Sequence, residues 1–466
     1  MKYLFSLILL ALTVPNVFAY TYEEAKNLYK QSKYSEALPV FQNRYKRYPK
    51  NGALNHWLGV CLYYEGDFKS AIKHLEFSDS KKIQYSPYYL SLIYFDMGDY
   101  VKADEYAELF KERVEADGDE IPENQLAKLR TISKANVMME HVQKIEIIDS
   151  LNVPKDDFFK YYKVSPEIGK FKSAEDAGVV SETAMNPVYM PESGTKMFWS
   201  QENEDSVLTL YQSTKLFDNS WDKPSIIDAN LQMGADTAYP FMMADGTSMY
   251  FASKGEESLG GYDIFVASKD LETGKYYTPQ NVGMPFNSPY DDYLYAVDEL
   301  TGSGWWATDR NQIPDSVTIY IFIPSKMRVN YSSEDSNIIS YAGVKSIADT
   351  WTEGADYSGL LETIRNIDVN KVIKKEEFSF VVSNDKIYKN YDDFNSIDAK
   401  QLMKELLRYQ KELEEILKDL KTYRAKFGVG NKALKPDIMK LETSLGELRR
   451  TVKALSNEVR KLEIKN

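Results

Sequence analysis

Residues 21 to 110 repeat with a period close to 34, and a repeat constrains a fold before any other feature does. The small residues Ala25, Gly59 and Ser91 are each followed, twelve positions later, by Ala37, Ala71 and Ala103. Three residues before each of those alanines stands an aromatic: Tyr34, Phe68 and Tyr100. Gly66-Asp67 and Gly98-Asp99 fill the turn before two of them, and Pro49 closes the first unit. Small residues paired at this spacing let the two helices of a hairpin approach closely, while the aromatics wedge between successive hairpins. The third unit is two residues shorter than the period. One further helix is expected from about Pro122 to Val142, capping the stack.

The register of these positions, with Trp57, Leu58 and Gly59 in the second unit, resembles the tetratricopeptide repeat in about three copies. The resemblance implies an α-helical solenoid over residues 20–143. A strand is expected to begin at Ile145-Glu146-Ile147-Ile148.

A second repeat follows. Asn186 to Ser200, Tyr239 to Ser253 and Asp292 to Thr308 each pair two apolar runs across a turn. The turns contain Glu192-Ser193-Gly194, Asp245-Gly246 and Thr301-Gly302, residues that hairpins require. A third strand is expected after each, at Val207–Tyr211, Tyr262–Val266 and Val317–Ile321. Ser200, Ser253 and Thr308 mark a spacing of 53 to 55, which suits a four-stranded propeller blade with its loops. The segment Tyr239–Lys269 closely resembles the WD40-like (PD40) propeller repeat, through Pro240, Asp245, Gly246, Phe251, Ser253, Gly261 and Asp263. An all-β, propeller-like domain over residues 144–395 is the expectation. Ile145–Leu151 and Phe378–Tyr388 either make a further blade between them or leave the array open.

A helical repeat array followed by such blades is similar to envelope proteins of Bacteroidota, including those linked to gliding and type IX secretion. The OmpA-like domain that often follows in those relatives has no counterpart here, so cell-wall binding is not carried over. Four triplets, at Ser150, Ser206, Thr237 and Ser316, are similar to the O-glycosylation acceptor pattern of that group.

The tail, residues 396–466, shows heptads. Leu402, Leu406, Tyr409, Leu413, Ile416, Leu420 and Tyr423 alternate steps of four and three, and so do Ile438, Leu441, Leu445, Leu448, Val452, Leu455, Val459 and Leu462. Phe427-Gly428-Val429-Gly430-Asn431 and Pro436 separate the two runs, with glycines to stop one helix and proline to start the next. An antiparallel coiled-coil hairpin is the simplest reading. The chain as a whole is expected to be multidomain α + β.

The first 19 residues read as a secretory signal: Lys2, an apolar run from Leu4 to Val14, and Val17-Phe18-Ala19 before the cut. Export to the periplasm follows as an expectation, with outer-membrane association left open. The lone Cys61 reads as a small core hydrophobe. Charge is uneven. Phe171 to Asp315 carries 8 Lys/Arg against 23 Asp/Glu, a balance of −15, which argues against nucleic acid there. Ser396 to Asn466 carries 17 against 11, a balance of +6.

Chemistry has few places to reside. The three histidines, His56, His74 and His141, all fall in the helical part, so the blades cannot hold a Ser-His-Asp triad or a His-rich metal site. Paired carboxylates remain, among Glu256, Glu257, Asp263, Asp291 and Asp292, but Glu256-Glu257 sits in a Gly/Ser-rich loop, Asp291-Asp292 in a Pro-flanked one, and Asp263 at a strand entry where an Asp bonds backbone in a turn. Trp199, Trp221, Trp305 and Trp306 either stack on a sugar or peptide or pack between blades. No catalytic residue, metal or cofactor is assigned. The expectation is a non-enzymatic scaffold of the cell envelope that docks envelope proteins, with self-association through the tail left open. The alternatives are a glycan- or peptidoglycan-binding module and, behind it, an acid/base glycoside hydrolase.

Overall fold

Seven helices open the described part of the chain in this computed structural model, which describes residues 20–464 apart from 217, 219, 370–376, 384–385 and 429–430. The expected signal segment lies outside the described residues. The helices are α1 (Tyr22–Lys30), α2 (Tyr34–Tyr45), α3 (Gly52–Tyr64), α4 (Phe68–Ser80), α5 (Ser86–Asp96), α6 (Tyr100–Asp117) and α7 (Glu123–Met139). Local chemistry sets their starts. Thr21 and Glu24 form a capping box on α1, and Asn51, Asp67 and Asp99 cap α3, α4 and α6 with their side chains. The Gly-Asp pairs divide the work: Gly66 and Gly98 turn the chain at φ +78, a left-handed conformation that favours glycine, and the Asp that follows caps the next helix.

Consecutive helices pack as hairpins. Ala25, Ala37, Ala71, Ser91 and Ala103 are fully buried. At Gly59 a Cβ would lie 2.6 Å from Leu75 Cγ and 3.2 Å from the Ala71 carbonyl oxygen, so α3 and α4 meet at hydrogen-for-methyl tolerance. The repeat aromatics fill the joints: Tyr34 stacks on Tyr64 at 4.1 Å and Tyr100 packs on Phe95 at 5.3 Å.

Strand β1 (Glu146–Pro154) follows, then a 3-10 turn over Phe158–Tyr161. The first sheet runs β2 (Gly169–Lys172), β3 (Met185–Pro191), β4 (Lys196–Glu202), β5 (Leu208–Thr214), β6 (Ser225–Ile226), with the one-turn helix α8 (Ala174–Ala177) between β2 and β3. The second runs β7 (Thr237–Met242), β8 (Ser248–Ser253), β9 (Asp263–Ser268), β10 (Gln280–Asn281). The third comprises β11 (Asp292–Asp298), β12 (Ser303–Thr308) and β13 (Ser316–Ile323), with β1 antiparallel on the outer edge of β13. Each of β3, β7 and β11 carries a bulge, between Met185 and Tyr189, Ala238 and Phe241, and Tyr293 and Ala296. Bulges bend and twist a strand, and β7 lies against both β3 and β11. The 3-10 turn wedges in where the sheets converge. Phe158 meets Tyr239 and Tyr293 at 5.7 and 5.6 Å, and Tyr162 meets Phe171 and Trp305 at 5.6 and 5.7 Å. Beyond β13 come α9 (Ile338–Gly343) and α10 (Ser358–Arg365).

Helices and sheets share apolar packing. Leu259, Met284, Ile338 and Ala342 join the same buried cluster as the helical core. The described residues up to 369 form one compact unit, and those from 377 onward form a second.

In the second unit β14 (Phe380–Ser383) and β15 (Lys386–Tyr388) form a two-stranded hairpin. The possibility of a blade shared by β1 and Phe378–Tyr388 is therefore corrected. β1 completes the third sheet, and the hairpin packs Phe380, Val382 and Tyr388 against helices α11 (Ile397–Gly428) and α12 (Lys435–Ile464). The reason is alternation: Phe380 and Val382 turn one apolar face inward while Val381, between them, points out at 49% exposure. The two long helices run antiparallel, with Arg424 on Glu442 near the tip and Ser396 on Glu463 at the base. Leu406, Leu420, Leu445 and Leu448 are buried along the seam, whereas Leu402, Leu413, Ile416, Leu441 and Leu455 are half-buried, because two helices cover a seam from only one side.

Candidate functional site

The helical hairpins present one face paved with rings. Tyr22 and Tyr29 on α1 contact Trp57 on α3 at 5.9 and 6.5 Å. Tyr29 continues through Tyr34 and Tyr64, at 5.6 and 4.1 Å, to Tyr63, and Tyr63 reaches Tyr89 on α5 at 6.3 Å. Tyr88 extends the line at 5.4 Å from Tyr89. Most of these rings are half-buried, and Tyr64 is 52% exposed. To one side of the strip the Tyr63 hydroxyl donates to Asp96 Oδ2 at 2.8 Å. The first helix of each unit supplies every ring but Tyr34, which opens α2, because its inner face repeats with the period of the array.

Beneath the strip runs a buried polar chain that sequence reading missed. His56 Nδ1 lies 3.1 Å from Ser86 Oγ, Ser86 lies 2.5 Å from Ser78 Oγ, and Ser78 donates to the Leu75 carbonyl at 2.9 Å. Each hydroxyl has one proton. Ser78 commits its proton to Leu75, so Ser86 donates to Ser78 and accepts from His56 Nδ1–H. His56 Nε2 then accepts from the Tyr29 hydroxyl at 3.3 Å. Burial pushes His56 down to about 4, so it is neutral near pH 7. The Ser86 proton points away from the imidazole, which is the wrong polarity for a Ser-His nucleophile. Only the serines at 78 and 86, facing a His across two helices, could have signalled this chain.

A second buried polar group joins the second and third sheets. Asp263 Oδ2 accepts from Leu259 N at 3.0 Å and from Asn281 Nδ2 at 2.7 Å. Asp292 Oδ2 accepts from Ser288 N and Oγ at 2.7 and 2.8 Å, and its Oδ1 from Arg310 Nη2 at 2.9 Å. Burial and the neighbouring Asp292 push Asp263 up to about 8. Burial likewise raises Asp292, against the opposing pull of Arg310. Arg310 also lay outside the sequence-level candidates, since a single Arg after a strand carries no pattern.

The other candidates are dispersed. Asp245 accepts from Thr247 N, Ser248 N and Ser248 Oγ in the β7–β8 turn beside Gly246, and those bonds hold it low although partial burial pushes the other way. Pro240, Phe251 and Ser253 are buried in the second sheet. Gly261 abuts the Asp291 carboxylate, which accepts from Tyr262 N at 2.9 Å. Asp291 and Asp309 flank Lys155 Nζ at 3.9 and 3.1 Å. Trp199, Trp305 and Trp306 are 0–1% exposed and belong to core clusters, so no sugar reaches them; Trp221 alone of the four is half-buried. Thr237 is fully buried and donates to the Leu208 carbonyl, which removes it as a glycan acceptor, whereas Ser206 is exposed in a turn.

Between the first and second sheets lies a cavity of about 390 Å³, with Tyr189, Phe198, Met242 and Tyr276 in its walls and Glu192, Lys196, Gln212 and Lys269 among its polar lining. Among the described residues no group of three or more His, Cys, Asp or Glu stands where it could hold a metal ion, and no helix is long and apolar enough to cross a membrane. No protein-family model matches the chain, and comparison with curated proteins finds no match.

Proposed function

We propose that this chain is a non-enzymatic docking scaffold of the bacterial cell envelope. Its helical hairpins act as a tetratricopeptide-type array, and its three sheets act as propeller-like blades that brace the array. The observation that carries the reading is the aromatic strip from Tyr22 to Tyr88. Tyr and Trp offer large, rigid contact area at little conformational cost, and they dominate the residues on which interfaces depend. A strip of rings that is half-buried in the free chain has surface left to lose on binding. The buried histidine chain beneath it, with its proton direction fixed, supports binding over catalysis.

The test is retention of envelope proteins on the immobilised chain, compared with a Tyr64→Ala variant. Tyr64 is exposed, so the fold tolerates the change. Proteins retained by the parent and lost with Tyr64→Ala support the reading. An identical set on both overturns it. A second reading, glycan binding, is favoured by the cavity between the first two sheets, where ring faces meet charged and amide groups. Retention of sugar polymers that survives Tyr64→Ala and falls with Tyr276→Ala would select it.

A further inference from the structure

The three sheets repeat one cross-strand row, and the first sheet breaks it. In each, the first paired residue after the bulge stands opposite a ring on the next strand: Tyr189 opposite Phe198, Phe241 opposite Tyr250, Ala296 opposite Trp305. Each ring in turn stands opposite a residue of the strand beyond. That residue is Val266 in the second sheet and Ile321 in the third. In the first it is Gln212. Directly opposite residues share a sheet face, so Gln212 replaces an apolar side chain in the layer between two sheets. It is half-buried, and its amide makes no hydrogen bond among the described residues. An amide placed there without a partner is a cost, because its two donors and its acceptor lose part of their hydration. Packing gives no reason for it, and a ligand does.

The cavity between the first and second sheets opens at this row. Phe198 and Met242, 3% and 9% exposed, give it an apolar wall beside Gln212. Tyr276 lines it too. Burial, with Asp228 and Asp245 nearby, pushes the Tyr276 hydroxyl up to about 12, so it stays protonated and donates. Lys269 Nζ stands 5.7 Å from the centroid of that ring. Around the cavity Lys196 and Lys269 are matched by Glu167 and Glu192, so neither sign of charge is favoured. Its volume of about 390 Å³ lies within the roughly 300–1,000 Å³ of small-ligand sites.

A neutral ligand that carries donors, acceptors and one apolar group fits these walls. A plain sugar offers hydroxyls on every side and leaves some of them against Phe198 and Met242. An acetamido group brings a methyl for that wall and a carbonyl for an amide N–H. We infer that this cavity is a subsite for an N-acetylated sugar residue, read by the Gln212 amide beside Phe198. The inference rests on the glycan reading above and names the sugar. The Gln212 amide N–H donates to the acetamido carbonyl, and ring hydroxyls meet the Gln212 carbonyl, Tyr276 Oη and Lys269 Nζ.

The experiment titrates the full chain, by calorimetry, with three β-1,4-linked tetrasaccharides: of N-acetylglucosamine, of its de-N-acetylated form, and of glucose. The expected result is binding of the N-acetylated form about ten-fold tighter than of the other two, the weight of one hydrogen bond and one buried methyl. Gln212→Val, which installs the residue that the second sheet carries at this place, should abolish that preference and leave the melting temperature unchanged or raised. Equal binding of all three that still falls with Gln212→Val overturns the acetamido assignment and leaves the glycan reading standing. A preference untouched by Gln212→Val, or a lowered melting temperature with unchanged affinity, marks the amide as structural and overturns the inference. Binding of none of the three overturns it as well: sugar polymers still retained through Tyr276 then keep the glycan reading, and their absence ends both.

Discussion

Arg310 Nη2 lies 2.9 Å from Asp292 Oδ1, with the two side chains 5% and 0% exposed. The pair ties the loop after β12 to the first residue of β11, and through the Phe286 carbonyl to the segment before it. Such a pair adds little net stability, because both charges lose their hydration, but breaking it strands one of them. Arg310→Met should therefore cost about 3–5 kcal/mol in urea unfolding. The double change Arg310→Met with Asp292→Leu should cost less than either single change. Additive losses would show that the two residues act independently.

Gly59 tests the helical array. A methyl there meets Leu75 Cγ at 2.6 Å, and the side chain it strikes is itself fully buried. Gly59→Ala should cost about 1–3 kcal/mol and Gly59→Trp more. Because Leu259 and Met284 share the helical core, the loss should lower one joint transition of helices and sheets. Two resolved transitions, with only the first shifted by calorimetry, would show that the sheets fold on their own.

Two buried groups set opposing pH trends. Burial and Asp292 raise Asp263 to about 8 in the folded chain, whereas an unfolded Asp titrates at about 4. Between those values the folded state holds the extra proton, so this group's contribution falls as pH rises. Burial lowers His56 to about 4, against about 6.5 when unfolded. Over that window the unfolded state holds the extra proton, so the contribution of His56 rises with pH. Asp263→Asn removes the first trend alone. Relative to the parent, the variant should gain stability steadily from pH 5 to pH 8, followed by urea midpoints. Parallel curves would contradict the assignment.

The tail is latched at its base. Glu463 is 4% exposed and accepts from Tyr388 Oη at 2.6 Å, Ser396 N at 2.8 Å and Asn395 N at 3.2 Å. Burial pushes its carboxyl upward, but these bonds outweigh burial and hold it below the ordinary Glu range. A depressed folded value gives stability above the unfolded value that is lost as pH falls through the folded one. Glu463→Gln should cost about 1–2 kcal/mol at pH 7, and the gap should close in acid. A gap that persists in acid would assign the loss to packing.

Where the chain is cut should matter as well. A chain ending at Asn395 keeps β14 and β15 but strips the helices from Phe380, Val382 and Tyr388. It should aggregate or lose the hairpin to proteolysis. A chain ending at Asn370 should melt like the first unit of the parent. Equal behaviour of the two chains, compared by limited proteolysis, would contradict the division.

The helical segments were legible because their determinants are local. Ala25 with Ala37, and Gly59 with Ala71, mark hairpins at a fixed spacing, Asp67 and Asp99 cap helices three residues away, and the leucines of α11 and α12 repeat along one face. Each signal lies within a few turns of the element it specifies, so the sequence by itself determined where helices start, stop and bury a face. The hairpins of the sheets were legible for the same reason, through their turns. What the sequence alone left open was every choice made across distance. Ile147, Ile148 and Val153 are apolar as in any buried strand, and nothing local says that β1 leaves its neighbours and pairs Ser150 with Tyr320. The apolar residues of β14 and β15 alternate, yet the hairpin packs on the tail helices. Arg310, His56 and Ser86 carry no pattern of their own. Their roles come from what the fold stands beside them: a carboxylate and two hydroxyls. An unpaired strand edge or a buried donor is satisfied by whichever partner the packed chain brings within about 3 Å, and only the tertiary structure decides which partner that is.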